Sequence, residues 1–193
     1  KMMGETEVGY YTAAMTIAML WEFIPTAFIN SSRVVILEKK TQNEEEYLNK
    51  LQLLLFAISI LGLLVGLAVQ LFGGLAVAIL YGKEYMSAVP VLKLLIWSTT
   101  FAMIGVARNI WSVAEDKNKY SKNYTICGGI FNLIFNALTI PAWGIFGAAV
   151  STLGAQIVVA LVSPLIWKDT RPFVTLYLES WKKGIAYMKK VLV

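Results

Sequence analysis

Two long stretches without charged residues dominate the pattern of apolar and polar positions along this chain. They run from Leu51 to Tyr81 and from Asn123 to Trp167. A helix that crosses the hydrocarbon core of a membrane needs about 20 mainly apolar residues, so each stretch is long enough to cross. The second stretch is too long for one crossing and divides at residues 141–144, whose Pro-Ala-Trp-Gly composition is typical of a turn. It therefore predicts two antiparallel helices joined by a short loop.

Two further apolar segments are interrupted by polar residues or proline. One contains Glu22 and Pro25, and the other contains Lys93. The Gly73-Gly74 pair is expected to relax the helix near the end of the first charge-free stretch. The pattern predicts an all-α membrane protein whose transmembrane bundle occupies residues 1–167. Its five spans are expected at residues 8–34, 48–71, 85–110, 123–140 and 145–167.

The tail, residues 168–193, has a different pattern. Apolar residues recur at helical spacing from Phe173 to Leu192, and lysines interrupt them. This alternation predicts a basic amphipathic helix that lies on the surface of an anionic leaflet. A solvated, partly ordered tail is the alternative.

The distribution of basic residues predicts the orientation of the spans. Of the 17 Lys and Arg residues, 14 fall in the two long loops and the tail, whereas Lys1 and Lys83 fall on the opposite side and Lys93 lies within a span. Short cytoplasmic loops carry an excess of Lys and Arg. We therefore expect both long loops and the carboxyl terminus in the cytoplasm and the amino end outside.

Composition supports the same class of protein and excludes several kinds of chemistry. Of the 193 residues, 58% are hydrophobic and 15% are charged, whereas about 25% are charged in soluble domains. The chain has no His and a single Cys, which excludes His-dependent nucleophilic catalysis and His-ligated zinc or haem. We expect no enzymatic activity, no cofactor, no metal and no nucleic-acid partner.

Glu22 and Lys93 are the charged residues that the pattern places inside the membrane, whereas Arg33, Lys50 and Arg108 lie at the ends of the predicted spans. A carboxylate or ammonium group in hydrocarbon is costly unless it meets water, a partner or a ligand. Glu22 is therefore a candidate for ion coupling, and a packing role satisfied by a neighbouring helix is the alternative. Lys93 is a candidate contact for an anionic substrate, and an ammonium group that reaches the outer interface is the alternative.

Other candidates lie near the ends and faces of the spans. Arg108 and Asn109 are candidate substrate contacts, because Arg suits phosphate geometry, although Arg108 also fits an ordinary interfacial anchor. Small and amide side chains on the last two spans are expected to mediate helix packing. They are Asn132, Asn136, Gly147 and Gly154.

Six segments occur in a distinctive order along residues 8–167. They are Gly9-Tyr10-Tyr11-Thr12-Ala13-Ala14, Trp21-Glu22-Phe23-Ile24-Pro25, Leu80-Tyr81-Gly82-Lys83-Glu84-Tyr85, Val91-Leu92-Lys93-Leu94-Leu95-Ile96-Trp97, Gly128-Gly129-Ile130-Phe131-Asn132-Leu133-Ile134-Phe135-Asn136 and Ile140-Pro141-Ala142-Trp143-Gly144-Ile145-Phe146-Gly147-Ala148-Ala149-Val150-Ser151-Thr152. In this order they resemble the carboxyl-terminal lobe of polysaccharide flippases, the Wzx-type O-antigen exporters of the MATE-like multidrug/oligosaccharidyl-lipid/polysaccharide superfamily.

The resemblance implies twelve spans in two lobes, of which this chain holds spans eight to twelve. The missing amino-terminal lobe is then a partner, as are membrane lipids, a lipid-linked oligosaccharide and a polysaccharide polymerase. The implied function is the transfer of an undecaprenyl-diphosphate-linked oligosaccharide across the inner membrane of a bacterial or archaeal cell. Lys93 and Arg108 would then compensate the diphosphate, and Glu22 would sense a coupling ion.

Other classes of function are compatible with the same pattern. A multidrug or lipid II type transporter of the same superfamily would share the fold and carry another substrate. A membrane-embedded enzyme would need a convergent acid–base or metal site. A non-transporting membrane anchor needs none of the intramembrane charges.

The predicted topology can be tested by labelling single cysteines in a Cys127→Ser background. Because both positions fall on the basic side, we expect Glu45→Cys and Lys189→Cys to react with an impermeant maleimide from the same face of the membrane. Lys83→Cys should react from the opposite face. Labelling of the first two positions from opposite faces would contradict the five-span map.

Overall fold

A computed structural model describes residues 4–192 of the chain, and these residues contain helices and turns without strands. Lys1 and Val193, which belong to the predicted outer end and tail, lie outside the described residues. The α-helices are α1 (Glu5–Met19), α2 (Phe23–Gln42), α3 (Glu44–Leu80), α4 (Val89–Ala114), α5 (Ser121–Ile157), α6 (Ser163–Ile166) and α7 (Arg171–Leu192). Short 3-10 helices lie at Leu20–Glu22, Lys83–Ala88, Asn118–Tyr120 and Lys168–Thr170, and a π-helix lies at Val158–Val162.

Four helical segments in this part of the chain are long and apolar enough to cross a membrane, which confirms the predicted all-α membrane fold. They are Glu5–Gln42, Glu44–Leu80, Lys83–Ala114 and Asn118–Ile166. The fourth segment contains a sharp turn at Gly144, where φ is +56°. It therefore consists of two helical arms, a first arm at residues 121–143 and a second arm at residues 145–166. At 1.5 Å per residue each arm is about 33 Å long, enough for the hydrocarbon core.

The two arms pack against each other in antiparallel fashion, as the sequence predicts. The Thr139 hydroxyl donates to the carbonyl of Gly147 at 3.0 Å and lies 2.9 Å from the Ser151 hydroxyl. Further along, the ring of Phe131 lies directly against Gly154. Pro141 removes one helical N–H at the end of the first arm, and glycine adopts the positive φ of the turn without strain.

Helix α3 continues without interruption through Gly73 and Gly74, so the predicted relaxation there is wrong. Its backbone stays helical because hydrocarbon offers no alternative hydrogen-bond partner, and this outweighs the low helix propensity of glycine. At the other end, the Asn43 side chain accepts a hydrogen bond from the Glu46 N–H at 3.1 Å. Three glutamates in the first turn also interact favourably with the helix dipole. The strong cap fixes where α3 begins.

The core forms between α3 and α4, and α4 also contacts α1, α2 and α5. Small residues on α3 let α4 approach closely: Gly62 lies against Thr100, and Gly66 lies against the ring of Trp97. Trp21 of the first segment is anchored on the same helix, because its indole N–H donates to the Thr99 hydroxyl at 2.9 Å. Helix α4 is therefore the element on which the other spans are positioned.

The tail forms the predicted amphipathic helix, α7, but its apolar face packs on protein. The Tyr177 hydroxyl lies 3.1 Å from the hydroxyl of Ser59 on α3, and the rings of Trp181 and Phe56 meet edge to face at 5.6 Å. Phe173 is fully buried. The prediction that this face lies on the lipid surface is therefore wrong for this part of the helix, because α3 covers it.

The hairpin can be tested with a matched pair of glycine substitutions. We expect Gly147→Val to lower the free energy of unfolding by about 1–3 kcal/mol, because its Cβ would overlap the backbone of Thr139. Gly129→Val is the control, since nothing lies within 4 Å of a Cβ there. Denaturant titration in detergent micelles measures both. An equal loss in the two variants would contradict the close contact between the arms.

Candidate functional site

Lys93 lines a pocket of about 340 Å³ between α3, α4 and the second arm of the hairpin. Pro90 starts α4 with a favourable first-turn geometry, and Lys93 follows less than one turn later. The side-chain amide of Gln70 on α3 donates to the backbone carbonyl of Lys93 at 2.7 Å and fixes this part of α4. Trp97 and Phe146 form apolar walls of the same pocket.

The charge of Lys93 has no counterion in the described part of the chain. The ion pairs found among residues 4–192 lie at the opposite end of the bundle, where Lys39, Lys40 and Lys50 meet glutamates. No carboxylate lines the pocket around Lys93. An ammonium group without a counterion in a membrane protein is stabilised by water or by a bound anion. The pocket therefore has the electrostatics of a site for an anionic group.

Arg108 lies on the same helix but faces the protein interior. It is 3% exposed, and its guanidinium donates to the backbone carbonyls of Val159 and Ala160 in the π-helix. Pro164 has no backbone N–H. In an α-helix the N–H at this position would donate to the carbonyl of Ala160, and in a π-helix it would donate to the carbonyl of Val159. Arg108 thus replaces the donor that Pro164 removes from the second arm.

Aromatic rings complete the surroundings of Arg108. Its guanidinium carbon lies 4.3 Å from the ring centroid of Tyr124 and 6.0 Å from that of Phe173. Cation–π contacts of this kind stabilise a desolvated guanidinium. In this conformation Arg108 cannot contact a phosphate in the Lys93 pocket, because it is buried and about 22 Å further along α4. Its substrate contact remains a sequence prediction that this geometry does not support.

Glu22 lies near the middle of the first long helical segment, Glu5–Gln42, and no ion pair joins it to Lys93 or Arg108. It occupies the 3-10 turn before Pro25 and is half-buried. Its neighbour Trp21 bonds Thr99, which is six residues, or about 9 Å, from Lys93 along α4. Asn109 is also half-buried. Lys93, Arg108 and Asn109 are thus spread along α4, and the lining of the Lys93 pocket includes none of the other predicted site residues.

The predicted packing residues lie within the hairpin. The amide of Asn136 donates to the side-chain carbonyl of Asn132 at 2.8 Å, so the two residues bond each other one turn apart. Gly147 and Gly154 both lie where the two arms touch. The two Asn side chains were predicted to mediate packing between helices, whereas the hydrogen bond that the structure shows for them lies within a single helix.

Sequence reasoning missed contacts that join residues distant in the chain. One is a cluster in which Glu115 accepts from Lys40 at 2.7 Å and from the Tyr47 hydroxyl at 3.1 Å. It ties the ends of α2, α3 and α4 together. Pro164 was also missed as a partner of Arg108. A proline inside a span was the available signal, since its freed carbonyls require a donor.

One titratable group outside the spans is held by a specific bond. The Tyr120 hydroxyl donates to Asp169 at 2.6 Å, and this bond, together with the charge of Lys117, lowers the pKa of Asp169 below its usual value. Asp169 is therefore ionised at neutral pH. The bond links the turn that precedes α5 to the turn that precedes α7.

Comparison with known proteins identifies the chain as similar to a membrane protein. No protein-family model and no solved structure matches it. An uncharacterized membrane protein of Methanocaldococcus jannaschii is 36% identical over 83 residues, which cover 42% of this chain and 16% of the relative. The matched region is thus about a sixth of that relative, which is more than twice as long as this chain. Together with the apolar helices, the match shows a multi-pass membrane protein.

A double-mutant cycle tests the pairing of Arg108 with Pro164. We expect Arg108→Ala to cost about 1–3 kcal/mol of unfolding free energy, because two buried carbonyls lose their donor. In a Pro164→Ala background a backbone N–H is restored, so the same substitution should cost about 1 kcal/mol less. Denaturant titration in micelles measures all four proteins.

Arg171→Ala is the matched control for this cycle. Arg171 donates to the carbonyl of Leu165 at 2.8 Å but is exposed, so its loss should cost less than about 1 kcal/mol. If Arg108→Ala cost the same with and without Pro164, the guanidinium would not replace the missing donor.

Proposed function

We propose that this chain forms one lobe of a transporter that moves a lipid-linked, undecaprenyl-diphosphate oligosaccharide across the cell membrane for polysaccharide biosynthesis. The products that need such a step are O-antigen, capsule or exopolysaccharide. The observation that carries the proposal is the Lys93 pocket, an open cavity in a membrane bundle whose lysine has no counterion among the described residues. A diphosphate headgroup supplies the negative charge that this pocket lacks.

In the proposed mechanism, Lys93 holds the diphosphate while the sugar chain occupies water between two lobes. The headgroup cannot cross hydrocarbon unaided, because the desolvation of its charges is too costly. Rocking of the lobes then exposes the same site to either side of the membrane. Glu22, half-buried in the 3-10 turn before Pro25, is the proposed sensor of a coupling ion.

Arg108 takes a positioning role in this proposal. Its bonds to the π-helix fix the shape of the second arm, which also carries Phe146 of the Lys93 pocket. The length of the M. jannaschii relative is consistent with a protein that has a second lobe. The partners proposed for the intact protein are that lobe, membrane lipids and a polysaccharide polymerase.

Substitution of Lys93 tests the proposed substrate contact. In the full-length protein we expect Lys93→Ala to lower polysaccharide export at least about tenfold, since one charge-assisted contact is worth about 1.5–3 kcal/mol. Lys93→Arg keeps the charge and should retain most export. Surface polysaccharide in cells that lack the native gene is measured together with the amount of protein in the membrane.

Lys83→Ala is the control, because it removes a lysine at the same end of the bundle but outside the pocket. Unchanged export in Lys93→Ala would remove this residue from the mechanism. Loss of the gene without any change in the sugar composition of the cell surface would favour a multidrug or lipid II type substrate. If Glu22→Ala also left all transport intact, a membrane anchor would become the better interpretation.

A further inference from the structure

A second cavity lies at the basic end of the bundle, away from the Lys93 pocket. It has a volume of about 510 Å³, within the range of small-molecule sites, and it is a groove between α2 and α3 with α7 along one edge. Phe28, Val35 and Tyr187 line it and are each about half exposed. The groove is therefore open on the outside of the protein, where a bilayer lipid can enter it.

The groove has an apolar part and a charged mouth. Helices α2 and α3 are antiparallel, as the ion pair of Lys39 and Glu46 at 3.0 Å shows. Lys50 lines the groove one turn beyond Glu46, and Ala57 lines it seven residues, or about 10 Å, further along α3. Moving along the groove from Lys50 to Ala57 therefore leads from the basic end of the bundle into its apolar part.

Additional cations surround the mouth. The Lys183 ammonium donates to the side chains of Asn49 and Gln52, next to Lys50. Lys183 and Lys190 fall four residues before and three residues after Tyr187, so both share its face of α7. The Lys50 ammonium lies 3.6 Å from a carboxylate oxygen of Glu46. Both side chains are partly exposed to solvent, so this ion pair neutralises the charge of Lys50 only weakly.

We propose that this groove binds one anionic phospholipid of the surrounding bilayer. Its acyl chain lies on the apolar wall that contains Phe28 and Ala57, and its phosphate lies at the mouth with Lys50, Lys183 and Lys190. Charge complementarity selects an anionic headgroup, since three lysines flank the mouth and the carboxylate that pairs with Lys50 does so only weakly. This site is independent of the proposed transport function, and it uses the tail helix as one of its walls.

The experiment compares lipids that differ in headgroup charge and share their acyl chains. The full chain in detergent is titrated with phosphatidylglycerol or phosphatidylcholine, and bound lipid is counted by native mass spectrometry. We expect one phosphatidylglycerol per chain and at least about fivefold weaker binding of phosphatidylcholine. Lys50→Ala should weaken phosphatidylglycerol binding until its affinity is close to that of phosphatidylcholine. Lys50→Glu should weaken phosphatidylglycerol binding further.

A steric variant tests the apolar part of the same groove. Ala57→Trp fills the groove and should weaken binding of both lipids at least about fivefold. Leu71→Trp is the control, because it adds the same ring at an exposed position far along α3. It should leave the binding of both lipids unchanged. Circular dichroism and a single elution peak establish that each variant is folded. If Ala57→Trp does not fold, the two Lys50 variants, at an exposed side chain, still decide the outcome.

Two results would overturn the proposal. One is equal binding of phosphatidylglycerol and phosphatidylcholine to the unmodified chain, or binding that the Lys50 variants leave unchanged. The other is displacement of phosphatidylglycerol by an equimolar polyprenyl phosphate, which would assign the groove to an isoprenoid lipid. Loss of phosphatidylglycerol binding in Lys50→Ala with normal export would separate this site from the proposed transport function.

Discussion

Within a bilayer every backbone N–H and C=O group must find its partner inside the protein, because hydrocarbon offers none. Pro25, Pro141 and Pro164 each remove one donor within an apolar helical segment, and the chain responds differently at each of them. Before Pro25 the helix tightens into a 3-10 turn. After Pro141 the chain reverses at Gly144. At Pro164 the missing donor is supplied from another helix by Arg108, so that a local defect becomes a contact between spans.

The two cations of α4 show how one helix can hold charge in different ways. Arg108 has several donors on a planar group, and one terminal nitrogen donates to two carbonyls while the guanidinium lies over an aromatic ring, without a carboxylate. Lys93 has a compact, strongly hydrated ammonium group at an open pocket. The cation that bonds the backbone of a neighbouring helix holds the framework in place, whereas the cation at the open pocket is available to a ligand. This difference is why the proposed function rests on Lys93.

Much of the fold could be predicted from the sequence, because apolar length and turn composition are local properties. The long apolar helices and the reversal near Gly144 follow from them directly. The covering of Tyr177 by α3 and the pairing of Arg108 with Pro164 could not be predicted, since they depend on which distant segments meet. The shared diphosphate contact that the resemblance implied for Lys93 and Arg108 is not supported for the same reason, because the carbonyls that hold Arg108 in the interior belong to the distant second arm.

The π-helix at Val158–Val162 has a consequence for how the last span meets its neighbours. A π-type turn accommodates one additional residue, so every side chain after it is rotated by roughly 100° about the helix axis relative to an uninterrupted α-helix. Residues before the turn, such as Gly154, face the first arm. Beyond the π-helix, the carbonyl of Pro164 accepts a hydrogen bond from the Thr170 hydroxyl at 2.7 Å, beside the start of α7. The second arm can thereby present one face to its hairpin partner and a different face to the tail helix.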